Sequence, residues 1–234
     1  MNSWNELWDK KALQYLVKTP AIPYEEIHLS INGFNHDVNS NIGYREFHAY
    51  LDTLVDELNL TSRDYLYEFG CGSGFFVKSL ADISGITRFG GSDLSGNMIR
   101  IAKMNLPEKD FSQASAEVFT VKYKSTVIVA NGVFQYFRDF SQARDVIVNV
   151  ISNDPDRFAF LDVPRGTADH MYELRNGNYK SDQLKHLLYT ESMFHEIMDD
   201  SVYDIVIKEQ IIEGYNQSKT RFNVFGRKKS GFRE

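Results

Sequence analysis

The chain has 234 residues and a formal net charge of −6, and its 42% hydrophobic and 25% charged residues are ordinary for a soluble globular protein. That length suits one α/β domain with a sizeable core, and the acidic balance lacks the basic face by which nucleic acid is usually held. A single cysteine excludes an intrachain disulfide framework and suits a reducing compartment; no basic-then-apolar leader opens the sequence and no apolar run approaches the ~20 residues of a membrane span, so a cytoplasmic location is expected.

Ser3-Trp4-Asn5-Glu6 has the S-x-x-E form of a capping box. Behind it Trp4, Leu7, Trp8, Tyr15 and Leu16 recur at helical spacing, which predicts an amphipathic helix over 4–18, stopped by Pro20 and Pro23. Residues 24–42 are mostly polar and rich in Asn, and read as a loop. A second helix follows, with Tyr44, Phe47, Leu51, Leu54, Val55 and Leu58 on one face.

From residue 65 onward strands and helices alternate, the mark of a parallel sheet covered on both faces. Strands are expected at 65–69, 86–92, 111–115, 126–130 and 157–163. Helices are expected near 73–84, 95–105 and 140–152, with Ser95 capping the second, and Thr190 caps a further helix through 198. Tyr203–Ile212 and Thr220–Arg227 read as two closing strands. Between strand 157–163 and the Thr190 helix lies an insertion bearing Arg165, His170, Tyr172, Tyr179, His186 and Tyr189. It leaves from the carboxyl end of a strand, where open α/β sheets bind ligands.

Tyr65-Leu66-Tyr67-Glu68-Phe69-Gly70-Cys71-Gly72-Ser73-Gly74 is the most informative stretch. A buried strand ends in a carboxylate and a glycine turn, and a helix starts behind it. Glycine admits φ > 0 and close approach of a ligand to the main chain, and a helix N-terminus presents free N–H groups. The dinucleotide fingerprint G-x-G-x-x-G requires a small third residue, and Phe75 occupies that position.

Glu68-Phe69-Gly70-Cys71-Gly72-Ser73-Gly74 resembles the first motif of the class I S-adenosylmethionine-dependent methyltransferases, of the small-molecule type. Gly91-Ser92-Asp93-Leu94-Ser95-Gly96-Asn97-Met98-Ile99 resembles the acidic end of that family's second strand. Ser115-Ala116-Glu117 stands where the family has Asp-Ala-Glu, Asn131-Gly132-Val133-Phe134 resembles its fourth-strand signature, and Arg221–Lys228 resembles its last antiparallel strand. The resemblance implies a Rossmann-like, doubly wound, seven-stranded mixed sheet with a C-terminal antiparallel hairpin and an N-terminal helical lid. It implies a single domain over 1–234: helices and lid loop in 1–60, and the cofactor-binding core in 61–229 with the insertion at 164–189.

On this resemblance S-adenosylmethionine is the cofactor and S-adenosylhomocysteine the product. Glu68 lies near the methionine ammonium, while Gly70, Cys71, Gly72 and Gly74 give backbone access. Asp93 takes the ribose hydroxyls, Leu94 and Met98 flank the adenine, and Asn131 and Gly132 face the sulfonium. Ser115 departs from the family's Asp, leaving the adenine amino group to a hydroxyl or to the main chain of Ala116. Candidate bases are His170 and His36; Tyr136 is a further candidate at the catalytic site, and with Tyr15, Tyr172 and Tyr189 it is a candidate to line the acceptor pocket.

The expected partner is a small-molecule methyl acceptor, with no nucleic acid, no membrane and no metal. After the fourth strand there is no Asn/Asp-Pro-Pro-Tyr/Phe, as in amide and base-amine methylation. The only cysteine sits in the glycine turn, away from any pyrimidine chemistry, and no clustered Cys/His spacing suggests zinc. The expected reaction is metal-independent methyl transfer to O or N of a small organic molecule by in-line displacement. The alternatives are an NAD(P)-dependent oxidoreductase and a non-catalytic S-adenosylmethionine-binding protein.

Overall fold

The computed structural model describes residues 3–18, 43–123, 126–166, 186–198 and 201–231. The expected loop at 24–42 and the middle of the insertion, with His36, His170, Tyr172 and Tyr179, lie outside the described residues. In chain order the elements are α1 (Trp4–Lys18), α2 (Tyr44–Glu57), β1 (Tyr65–Phe69), α3 (Phe75–Ser84), β2 (Arg88–Asp93), α4 (Gly96–Asn105), β3 (Asp110–Gln113), β4 (Thr126–Asn131), α5 (Phe140–Ser152), β5 (Arg157–Pro164), α6 (Glu191–Met198), β6 (Tyr203–Glu209) and β7 (Arg221–Lys228).

The seven strands form one sheet in the order β3-β2-β1-β4-β5-β7-β6. β1 pairs in parallel with both β2 and β4, and β4 with β5, while β7 runs antiparallel between β5 and β6. The chain winds outward through β1, β2 and β3, then returns across β1 to β4. The carboxyl ends of β1 and β4 therefore flank the point where the winding reverses, the crevice at which such sheets bind ligands.

Side chains alternate across the sheet with period two, which sorts the interior into two layers. Leu66, Val127, Val129, Ala159 and Leu161 pack beneath α2 and α3, against Phe47, Leu51, Phe75 and Leu80. Tyr67, Phe69, Ile128, Phe158 and Phe160 face the other way, against Val146, Ile147 and Phe194 of α5 and α6. Burial on both faces is why β1 and β4 are mostly apolar along their length rather than alternating, with Glu68 the buried exception in β1.

The local signals act as the sequence suggests. The Glu6 amide donates to Ser3 Oγ at 3.3 Å, and the Met98 amide donates to Ser95 Oγ at 3.2 Å, capping α4. Several boundaries differ: β2 starts at Arg88 rather than residue 86, and β3 ends at Gln113 rather than residue 115. α3 begins at Phe75, not residue 73, because its N-cap Gly74 sits at φ 79°. β6 stops at Glu209, and residues 216–220 wind into a short 3-10 turn before β7 starts. Among the described residues no helix is long and apolar enough to cross a membrane.

Candidate active site

The glycine turn after β1 is held by geometry that only glycine tolerates. Gly70 lies at φ 66°, and a Cβ there would stand 2.4 Å from Val133 Cγ2. The turn therefore packs directly on the segment that leaves β4. The Gly72 amide donates to Asp93 Oδ2 at 2.8 Å and the Ser95 amide donates to Asp93 Oδ1 at 2.8 Å, so two backbone N–H groups fix this carboxylate at the end of β2. Burial nonetheless raises the Asp93 carboxyl above its usual range, against the lowering effect of the two amides.

Glu68 is 2% exposed. Its Oε2 accepts the Val77 amide at 3.1 Å in the first turn of α3. Burial pushes its carboxyl well above the ordinary value, with the nearby charge of Asp93 adding to the effect. Two desolvated carboxylates side by side are an electrostatic cost that a cationic ligand group offsets. Burial also pushes the Cys71 thiol up, with the charges of Asp93 and Glu68 adding to it, so the thiolate form is suppressed.

These groups open on a cavity of about 270 Å³. Glu68, Gly70, Cys71, Gly72, Asp93, Leu94, Met98, Ser115, Ala116, Asn131, Gly132 and Tyr136 all line it. Gly74 does not: it caps α3, and a Cβ there would strike the Phe111 ring at 2.7 Å. Tyr15 is absent from the lining as well and packs with Ala12, Met98 and Ile101, where α1 meets α4. Tyr189 belongs to the core rather than to an acceptor pocket. It is 1% exposed, its hydroxyl donates to the Phe134 carbonyl at 2.8 Å, and its backbone closes the base of the insertion through the Pro164 carbonyl and the Gly166 amide. The candidates His36, His170 and Tyr172 lie outside the described residues.

The structure adds cavity residues to which the sequence analysis gave no place in the site. At the end beyond Gly132 these are Gln135, Asp162, His186 and Arg221, and α1 contributes Trp4 and Trp8 as a roof. Trp4 stacks on His186 with ring centroids 5.0 Å apart and lies 4.7 Å from the Tyr136 ring, which also meets Trp8 edge-on. α1 is seated by Asp9, whose Oδ1 accepts the Ser95 hydroxyl and, at 3.2 Å, the Asn97 amide.

Asp162 sits at a bulge in β5 with φ 56°, rare for a residue other than glycine. Its amide donates to Asn223 Oδ1, Gln210 Nε2 donates to its Oδ1 at 2.9 Å, and Arg221 Nε lies 3.7 Å from that same oxygen. Its Oδ2 turns toward Gly132, 3.4 Å from where a Cβ would be. Burial raises the Asp162 carboxyl and Arg221 pulls it back down. Burial pushes the Tyr136 hydroxyl up to about 12, so it stays protonated. Burial and Arg221 lower His186, which favours its neutral form.

Comparison with known proteins agrees with this geometry. Residues 67–154 match the model of a family described as a methyltransferase domain. The chain is 26% identical over 131 residues to the malonyl-[acyl-carrier protein] O-methyltransferase of Acetivibrio thermocellus, covering 55% of this chain and 46% of that protein. It is 32% identical over 73 residues to the trans-aconitate 2-methyltransferase of Agrobacterium fabrum, covering 31% and 28%. The matched segments thus span less than half the length of these curated relatives. Among solved structures, magnesium protoporphyrin IX methyltransferase from Synechocystis, with bound S-adenosylhomocysteine, superposes with a TM-score of 0.62 at 14% identity over 94% of both chains. An N-methyltransferase from Bradyrhizobium japonicum, also with S-adenosylhomocysteine, gives 0.59 at 16% identity over 94% and 98%. Residues 67–154 thus match a methyltransferase domain, and the seven-stranded fold is shared with solved S-adenosylmethionine-dependent methyltransferases.

Proposed function

We propose that the protein transfers a methyl group from S-adenosylmethionine to an oxygen or nitrogen of a small organic acceptor. The observation that carries this reading is the convergence of Glu68, the Gly70–Gly72 turn and the amide-held Asp93 carboxylate on one cavity at the reversal point of the sheet. The residues fit the cofactor. Asp93 stands where it can accept both ribose hydroxyls, Met98 and Leu94 offer apolar surface to a purine, and Glu68 faces the end where an ammonium would lie. Phe75, buried in α3 where a dinucleotide fingerprint wants glycine, supports this over a nicotinamide cofactor.

When bound, the cofactor supplies an activated methyl group on a sulfonium. The protein's task is then alignment, worth as much as ~7–11 kcal/mol where the reacting groups are held well. The acceptor occupies the end lined by Gln135, Tyr136, Asp162, His186 and Arg221, roofed by Trp4 and Trp8. Asp162 Oδ2, beside Gly132, takes the hydrogen of an acceptor hydroxyl or amine; burial raises this carboxyl and so strengthens it as a base, while Arg221 opposes that rise. Tyr136, protonated, orients the acceptor by donating. This end offers one carboxylate, already paired with a guanidinium, a donor set ill-suited to a divalent cation. Among the described residues no cluster of three or more His, Cys, Asp or Glu suits a metal.

The test is label transfer from methyl-tritiated S-adenosylmethionine to a panel of small alcohols, phenols, amines and carboxylic acids. Acceptor-dependent release of S-adenosylhomocysteine that falls in Asp162→Asn supports the reading. Binding of the cofactor with no transfer to any class of acceptor would favour the non-catalytic alternative.

A further inference from the structure

The segment after β3 contains a carboxylate that the resemblance leaves without a task. Ser115 replaces the family's acidic residue, and its hydroxyl is already committed: Oγ donates to Glu117 Oε2 and lies 3.5 Å from the Glu117 amide, which donates to it. The Ala116 carbonyl accepts Asn149 Nδ2 at 3.1 Å. Glu117 itself lines the cavity with Ser115 and Gln142.

The Glu117 carboxylate is fixed from two sides. Gln142 Nε2 donates to its Oε1 at 2.6 Å. The orientation of that amide is set by its other end, because Gln142 Oε1 accepts the Arg138 amide at 2.7 Å. Gln142 in turn sits in the first turn of α5, whose N-cap Asp139 accepts the Gln142 amide at 2.9 Å. Further along α5, Asn149 Nδ2 also donates to the Phe119 carbonyl, and the Val121 amide donates to Asn153 Oδ1 at 2.7 Å. The whole 116–121 segment is thereby stapled to a rigid helix. Each Glu117 oxygen uses one lone pair on these donors and keeps another for a ligand.

We infer that Glu117, positioned by Ser115 and Gln142, is the hydrogen-bond acceptor for the exocyclic amino group of the cofactor's purine, in place of the carboxylate missing at position 115. This rests on the cofactor reading above. Asp93, Met98, Ser115 and Glu117 line one cavity, so with the ribose held by Asp93 and the base against Met98, Glu117 would be the carboxylate available to the far edge of the purine. An anionic acceptor there favours an amino group and repels the carbonyl oxygen of a hypoxanthine, so Glu117 sets the choice of base as well as affinity.

The experiment is calorimetric titration of the full chain with S-adenosylhomocysteine and with S-inosylhomocysteine, which carries a carbonyl oxygen in place of the amino group. Wild type should prefer the adenosyl ligand by about 10-fold to 100-fold, the range of one hydrogen bond to a charged group. Glu117→Ala should abolish that preference. Glu117→Gln, whose Oε1 remains on Gln142 and whose Nε2 then faces the base, should shift it toward the inosyl ligand. Adding Ser115→Asp to Glu117→Ala should restore the preference for the adenosyl ligand. A purely structural Glu117 would weaken both ligands alike. Unchanged discrimination in Glu117→Ala and Glu117→Gln, with wild type binding S-adenosylhomocysteine, would overturn this inference alone. Failure of wild type to bind S-adenosylhomocysteine would remove the cofactor reading and this inference with it.

Discussion

The Gly72 amide and the Asp93 carboxylate meet at 2.8 Å, joining the turn after β1 to the end of β2. The bond makes a cavity-lining carboxylate part of the scaffold. Asp93 is fixed by the same turn that lines the cavity, so a ligand bound as proposed would need little reorganisation of this carboxylate. The shape of the cavity and the charge within it thus depend on one another.

Substituting Gly70 should be a folding defect before it is a binding defect. A Cβ at φ 66° and 2.4 Å from Val133 Cγ2 incurs both backbone strain and a clash. Gly70→Ala should lose about 1–3 kcal/mol in urea unfolding. Val133→Ala in the same chain should recover the steric part but not the φ part, leaving the double variant between the two.

Glu68 should make the ligand-free protein less stable as pH rises. Its folded-state pKa lies well above the ordinary 4.5, so the folded form binds more protons than the unfolded form at intermediate pH. Stability is then lost as pH climbs from the ordinary value toward the folded one. Glu68→Gln should flatten that slope and raise the melting temperature at neutral pH while weakening S-adenosylhomocysteine. A variant whose unfolding midpoint follows pH as wild type does would contradict this account of the charge.

Tyr189→Phe separates core from pocket. Removing the hydroxyl leaves the buried Phe134 carbonyl short of its donor, a loss of about 1 kcal/mol or somewhat more. Thermal unfolding should register that loss, and ligand affinity should not change.

Arg221 and Asp162 are 9% and 10% exposed, with Nε and Oδ1 3.7 Å apart. Arg221→Met removes the partner of a buried carboxylate, together with the bonds to the Asp162 carbonyl and to Gln217 Oε1. A loss on the order of 3–5 kcal/mol is expected. Asp162→Asn added to Arg221→Met should be less destabilised than Arg221→Met alone, which a double-mutant cycle by chemical denaturation measures.

The end of the cavity lined by Glu68, the glycine turn and Asp93 was legible in the sequence because its geometry is local. A carboxylate ending an apolar run, glycines that need positive φ and a Ser N-cap before Met98 all leave marks within a few residues, and the strand–helix alternation gave the sheet. The end lined by Asp162 and Arg221 was not. Arg221 reads as the first residue of a strand, and its approach to Asp162 depends on β7 inserting between β5 and β6. Asp162 reads as one more residue of β5, since nothing in Leu161-Asp162-Val163 announces a left-handed backbone. Tyr189 looked like a pocket aromatic because its burial follows from pairing with Pro164 and Phe134 across the base of the insertion. Glu117 carries no mark in the sequence because what fixes its carboxylate, Gln142, lies on a different element.

The most direct measurement is calorimetric titration of the purified protein with S-adenosylhomocysteine, alongside NADH, on wild type and Asp93→Ala. The account predicts micromolar binding of S-adenosylhomocysteine, none of NADH, and a loss of about 10-fold to 100-fold or more in the variant as the contacts to the ribose disappear. A folded wild type that ignores S-adenosylhomocysteine, or an Asp93→Ala variant that binds it undiminished, would contradict it.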